Sequence, residues 1–312
     1  MASISTAGQQ SLLLQNTLRN QERLALTQEQ ITTGKKASDF KQLNPQVQDA
    51  LDTRQALSGV ESFRGTIETV QRRVQRMDLQ LGETVKAGRD LKQSILDAAG
   101  RQNGDGLMTR LEETFDRAVG ALNAEVDGNF IFGGARTDQR PVTVSSISDL
   151  QSLADAGEAF QNDDQARRAV IAEGEEIEFG QLADDVGQEL LASIKRIADF
   201  NDNVNGNNPD GPLEGQLTDN QIQFLEDELA RLEKAIQSAQ DAQVDNGITA
   251  NRLSETDERH AATENFLKEQ IGAIEDVDLA KAATRLNQQQ TTLEASFRAI
   301  GTLQNLSLVD FL

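Results

Sequence analysis

The chemistry open to this 312-residue chain is bounded by one histidine and no cysteine. Without Cys there is no thiolate nucleophile, disulfide framework or Cys-ligated zinc. A Ser-His-Asp relay would have to run through His260. That residue follows Glu255-Thr256-Asp257-Glu258-Arg259, a polar helical context with no nucleophile elbow nearby. Gly34-Lys35 shares two residues with a phosphate loop, but Glu29 and Lys36 stand where that motif needs Gly and Ser or Thr. Gly104-Asp105-Gly106 has no strand before it, and Thr109 occupies the third glycine position of a dinucleotide turn, so a break between two helices is expected. Asn201, Asn203, Asn205 and Gly206 follow the spacing of a calcium loop, yet Pro212 replaces the closing bidentate carboxylate. Glu173, Glu175, Glu176 and Glu178 read as the wet face of a strand. Asn305-Leu306-Ser307 matches the glycosylation triplet, at a terminus whose character speaks against its use. No catalytic residue, cofactor or metal site is expected, and the chain reads as a non-enzyme.

The elements that would carry such residues are polar helices. There is no Trp or Tyr, Phe numbers 12 and the hydrophobic fraction is 37%, which suits narrow apolar seams better than a thick globule. A net charge of −21 argues against nucleic acid, whose binding needs Lys and Arg to displace counterions. No run approaches the roughly 18 apolar residues of a membrane span. Met1 to Gln10 has neither a basic nor an apolar leader region, so no cleaved signal is expected. Residues 1–35 and 279–312 each carry a net +1, which leaves −23 on residues 36–278. Weakly charged ends suit contact with protein, and an acidic middle suits water.

All four prolines, Pro45, Pro141, Pro209 and Pro212, lie outside 46–140 and 213–312. In the first of these stretches a heptad seam runs through Phe63, Ile67, Val70, Val74, Met77 and Leu81, then through Thr84 and Gly88 to Leu91, Ile95 and Ala98. A second seam runs through Ile222, Leu225, Leu229, Leu232, Ile236 and Ala239. A third runs Leu279, Ala283, Leu286, Gln290, Leu293, Phe297, Ile300 and Gln304, and Leu14, Leu18, Leu24, Ala25 and Ile31 form a looser stripe near the start. Between them Asn129-Phe130-Ile131-Phe132, Pro141-Val142-Thr143-Val144, Arg168-Ala169-Val170-Ile171 and Glu176-Ile177-Glu178-Phe179 read as short apolar or strand segments, after which helix resumes near Leu182.

The expected fold is mainly α: an elongated antiparallel helical rod or coiled coil formed by the N- and C-terminal segments, with a small inserted β-rich domain. The expected division is 1–40 with 270–312 as terminal assembly helices, 41–127 with 183–269 as the rod, and 128–182 as the β-rich insert. With Gln at seam positions, the terminal helices are marginal and disordered in the monomer, and they need neighbours. The candidate assembly interface is Leu14, Leu18, Leu24, Ile31, Leu286, Leu293, Phe297, Ile300, Leu303, Leu306, Leu308 and Phe311.

Ile4-Ser5-Thr6 with the Thr32-Thr33-Gly34-Lys35-Lys36 turn, and Asp276 to Ala282 with Leu286-Asn287-Gln288-Gln289-Gln290-Thr291-Thr292-Leu293-Glu294-Ala295-Ser296-Phe297, resemble the two ends of the flagellin superfamily. The passage Asp127-Gly128-Asn129-Phe130-Ile131-Phe132-Gly133-Gly134 and the ending Leu306-Ser307-Leu308-Val309-Asp310-Phe311-Leu312 are most similar to its hook-filament junction branch, the hook-associated protein 3 family. Where that family often has a double Asp before Pro after the Gly-Lys turn, Asp39-Phe40 here precedes Asn44-Pro45. The resemblance implies a structural subunit of the bacterial flagellum, outside the cell, exported unfolded by the flagellar type III apparatus. Its implied partners are a ring of its own copies, the first hook-associated protein, flagellin and an export chaperone. Flagellin itself is the alternative, and a soluble coiled-coil binding module or adhesin is a second rival.

Overall fold

The proline-free stretches become the long helices. A computed structural model describes residues 6–37 and 46–309. In chain order it forms α1 (Thr6–Thr33), α2 (Val47–Arg101), α3 (Leu107–Leu122), β1 (Glu125–Val126) and β2 (Asn129–Phe130). There follow α4 (Ile147–Ser152), β3 (Arg167–Ala172), β4 (Glu175–Phe179), α5 (Ala183–Asn201), α6 (Asp219–Glu275) and α7 (Leu279–Val309). Among the described residues the strands make two antiparallel hairpins, β1 with β2 and β3 with β4. The mainly α fold with a small β part agrees with the seams and with the alternation of 176–179.

The chain divides into a terminal unit, Met1–Gly59 with Ala262–Leu312, and a central unit, Val60–Ala261. In the central unit the α2 seam is buried from Ile67 through Val70, Val74, Met77, Leu81, Leu91 and Ile95. Helix α6 runs antiparallel to it. Arg64 pairs with Asp257 at 2.9 Å, and the buried Asn246 amide donates to the Val74 carbonyl at 2.9 Å. Gly88 occupies a seam position because α6 comes close there; an added Cβ would lie 2.8 Å from Ile236 Cγ1. Phe115, Leu111 and Leu122 of α3 join Leu191 and Ile194 of α5 and Leu225 and Leu232 of α6 in the main core. A second cluster packs Ile171, Ile177 and Phe179 of the β3–β4 hairpin on Ile67, Val70, Val74 and Leu253.

The expected break between helices falls at Gly104-Asp105-Gly106. Gly104 is pressed on the carbonyl of Leu213, which an added Cβ would meet at 2.4 Å. Pro141 to Val144 differs from the sequence reading, since Val142 makes only an isolated bridge to Phe160. Proline brings no N–H to a ladder. In addition, the Asn123 side-chain amide accepts from the Val142 N–H and donates to its carbonyl, both at 2.9 Å, taking the place of a neighbouring strand.

Candidate assembly surface

In the terminal unit α1 and α7 pack together. The end of α1 meets the start of α7, since the Val277 N–H donates to the Gly34 carbonyl at 2.9 Å, so the two helices are antiparallel. The inner positions of α1 are Leu13, Thr17, Asn20, Leu24, Thr27 and Ile31, all buried or half-buried and spaced four and three apart. Those of α7 are Ala282, Leu286, Gln289, Leu293, Ser296 and Ile300, with the same spacing. This is heptad packing with half of its positions filled by small or polar residues. The Thr17 and Thr27 hydroxyls donate to the carbonyls of Leu13 and Arg23 in their own helix, at 2.8 and 2.9 Å. They are therefore buried without an unmade hydrogen bond, but they bring little apolar area to the seam.

Several other bulky apolar residues point the other way. On α1, Leu12, Leu14 and Leu18 are more than half exposed and Leu26 is 44% exposed; on α7, Leu279 and Phe297 are at least half exposed. Burying one such side chain fully is worth about 1.5–3 kcal/mol. The protomer therefore leaves apolar surface in water while sealing polar groups inside.

Of the interface residues named from sequence, Leu24, Ile31, Leu286, Leu293 and Ile300 sit half-buried between α1 and α7, whereas Leu14, Leu18 and Phe297 face outward. Leu303, Leu306 and Leu308 lie on the backbone of α7, but their side chains are outside the described residues, as is the whole of Phe311. Ile4-Ser5, Asp39-Phe40 and Asn44-Pro45 are outside them too. Thr17, Asn20, Thr27, Ala282, Gln289 and Ser296 were not singled out from sequence. Stepping back from Ile31 by four and three would have found the α1 set; a search for bulky residues does not.

The Gly-Lys turn closes one end of the helix pair. Gly34 ends α1 with φ of 72°, a left-handed conformation that favours glycine. Lys35 then bridges to Asp276 and the Lys36 N–H donates to the Glu275 carbonyl at 2.7 Å. The Lys36 ammonium donates to the carbonyls of Ala273 and Ile274, two acceptors left open by the end of α6, where a cation also complements the helix dipole. The Lys35 ammonium lies 2.6 Å from Asp276, and Arg54 lies 2.8 Å from the buried Glu275 carboxylate. Its hydrogen bond to Asp276 raises the Lys35 pKa, and burial opposes the rise. Asp278 starts α7 by accepting from the Lys281 N–H at 3.1 Å, and this bond holds its carboxyl below the ordinary range.

The other residues considered for chemistry have packing partners. His260 Nε2 is 2.7 Å from the Ile171 carbonyl and its ring stacks on Phe63. In the loop after α5, Asn201 accepts from the Leu213 N–H and Asn203 from the Asn208 N–H, both at 2.9 Å, so these oxygens shape the loop. Glu175 pairs with Arg252 and Arg259, tying the β hairpin to α6. Among the described residues no group of three or more His, Asp or Glu is arranged to hold a metal, and no helix is long and apolar enough to cross a membrane.

A mainly α chain whose two ends pair as antiparallel helices, with small β hairpins near the middle of the sequence, is a layout of helical structural subunits. Comparison with known proteins names the kind. The bacterial flagellin N-terminal helical region matches residues 4–137 and the flagellin C-terminal helical region matches residues 229–312. The chain belongs to the flagellin family and is a structural subunit of the bacterial flagellum. No curated protein matches the sequence at a significant level. A structure assigned as a flagellar hook-associated protein from Vibrio parahaemolyticus is similar with a TM-score of 0.59 and 17% identity, over 74% of this chain and 98% of that one. FlgL from Bacillus cereus is similar with a TM-score of 0.53 and 14% identity, over 73% of this chain and 98% of its own.

Proposed function

We propose that this subunit joins the flagellar hook to the filament, docking its terminal helices against neighbouring subunits. The observation that carries the docking is the outward display of Leu12, Leu14, Leu18, Leu26 and Phe297 on a helix pair with half of its own seam filled by small or polar residues. The junction role is supported by the passage from Asp127 to Gly134, by the ending Leu306 to Leu312, and by the fold shared with hook-associated proteins. Residues 1–40 and 270–312 are the assembly helices, which gain durable order on docking; 41–127 with 183–269 are the rod; and 128–182 are the outer insert. Leu24, Ile31, Leu286, Leu293 and Ile300 hold the pair, and Leu14, Leu18, Phe297, Leu303, Leu306, Leu308 and Phe311 meet neighbours. The neighbours are further copies in a ring, the first hook-associated protein and flagellin. The chain reaches them by signal-less export, guarded by a chaperone. It performs no catalysis.

Deleting residues 301–312 tests this reading. The truncated protein is expected to keep the circular dichroism of a folded helical chain while failing to appear in purified flagella. Loss of helical signal in the monomer, or normal incorporation, would count against it. Flagellin is the second reading, favoured by the names of both matching families. Purified protein added to filament ends separates the two, since growth of long filaments from this chain alone supports flagellin.

A further inference from the structure

Three Asn-Gly pairs occur in the chain: Asn103-Gly104, Asn205-Gly206 and Asn246-Gly247. Such a pair can react with itself. The glycine nitrogen attacks the asparagine Cγ, a C–N bond forms, and the side-chain amide leaves as ammonia with the proton from the glycine nitrogen. Water then opens the cyclic imide at either carbonyl, leaving aspartate or isoaspartate. Glycine favours the step because no Cβ shields its nitrogen and its backbone turns readily. Hydrogen bonds that hold the asparagine side chain or the glycine N–H oppose it, because they must open before the ring can close.

Two of the three pairs are held. The Gly104 N–H donates to the Gly215 carbonyl at 2.9 Å, the Asn103 side-chain oxygen accepts from the Asp105 N–H at 2.7 Å, and Gly104 is wedged against Leu213. Asn246 is 3% exposed inside α6, with its amide donating to the Val74 carbonyl at 2.9 Å, and Gly247 lies within the same helix. Asn205 differs in its side chain and in the space around its glycine. It is exposed in the loop after α5, no hydrogen bond holds its side chain among the described residues, and Gly206 sits at φ of 71° with open space around its Cα. Among the described residues Gly206 is restrained by one turn bond, from its N–H to the Asn203 carbonyl at 3.1 Å.

We propose that Asn205 is a site of spontaneous deamidation in the folded protein, and that the fold protects Asn103 and Asn246. The product places a new carboxylate on the wall of a groove of about 470 Å3 that Arg196, Arg231 and the stacked Phe200 and Phe224 also line. The charge of the groove thus changes with the age of the molecule, without any enzyme.

The test is to hold the folded full-length protein in mildly alkaline buffer, digest it, and quantify aspartate and isoaspartate at all three sites by mass spectrometry. A parallel sample is unfolded in urea. The folded protein is expected to convert Asn205 at least about tenfold more than Asn103 or Asn246, and the unfolded chain to convert all three. An Asn205→Gln variant, checked by circular dichroism, is expected to lose the acidic species that builds up on isoelectric focusing. Equal conversion at the three sites in the folded protein overturns the proposal. So does an unmodified Asn205 in a folded sample whose unfolded counterpart reacts, and the wild-type site map decides this even where the variant fails to fold.

Discussion

Along α2 in the central unit, the four-and-three spacing from Ile67 to Ile95 buries Ile, Val, Met and Leu, with Thr84 and Gly88 as the small exceptions. Along α1 in the terminal unit, the same spacing buries Thr17 and Thr27 and half-buries Asn20, while four leucines face water. Both regions obey one geometry, and they differ in where they put apolar area. The central unit uses it inward, where the protomer itself buries it. The terminal unit holds much of it outward, so its stability rests more on what covers it. A helical period therefore shows which residues share a face; whether that face is the inner one depends on what the partner helix offers.

Substitutions can sharpen this contrast or break it. The largest expected effect is Phe115→Ala in the main core, which should cost about 3–5 kcal/mol in urea unfolding because a fully buried ring leaves a cavity. Next, Gly88→Ala should cost about 1–3 kcal/mol, since its Cβ meets Ile236 Cγ1 and α6 must shift. A change of Leu14 or Phe297 to Ser should move protomer stability by less than about 0.5 kcal/mol, because these side chains are at least half exposed. If these outward changes instead unfold the protomer as strongly as Phe115→Ala, the contrast between the units is wrong.

The smallest effect concerns pH. The Asp278 carboxyl is held below its ordinary range, so its contribution is complete above the unfolded value near about 3.9 and is lost as pH falls through its own lower value. Asp278→Asn should lower neutral-pH stability slightly and flatten the acid end of the curve of stability against pH, the two proteins converging as pH falls. A difference between variant and wild type that instead grows above neutral pH would contradict this assignment.

Much of this was legible in the sequence where one stretch supplies all the information. The α2 seam, the break at Gly104 to Gly106 and the strand Glu176 to Phe179 follow from spacing and turn residues. The inner face of α1 was not legible from bulk, because Thr and Asn at seam positions look like surface. Pro141 to Val144 looked like a strand, and it was an amide from Asn123 that took the neighbour's place. The Gly34-Lys35-Lys36 turn was noticed, but its task was invisible, since the acceptors for both lysines lie at Ala273 to Asp276.

That long reach carries a consequence for the order of events as the chain folds. Lys35 and Asp276 are 241 positions apart, and the whole central unit lies between them in sequence. Closing so large a loop in an open chain is entropically costly and slow, whereas α2, α3 and their turn can collapse from near neighbours. The Lys35–Asp276 clasp is therefore expected to form after the middle has become compact, and to open at less cost than the core.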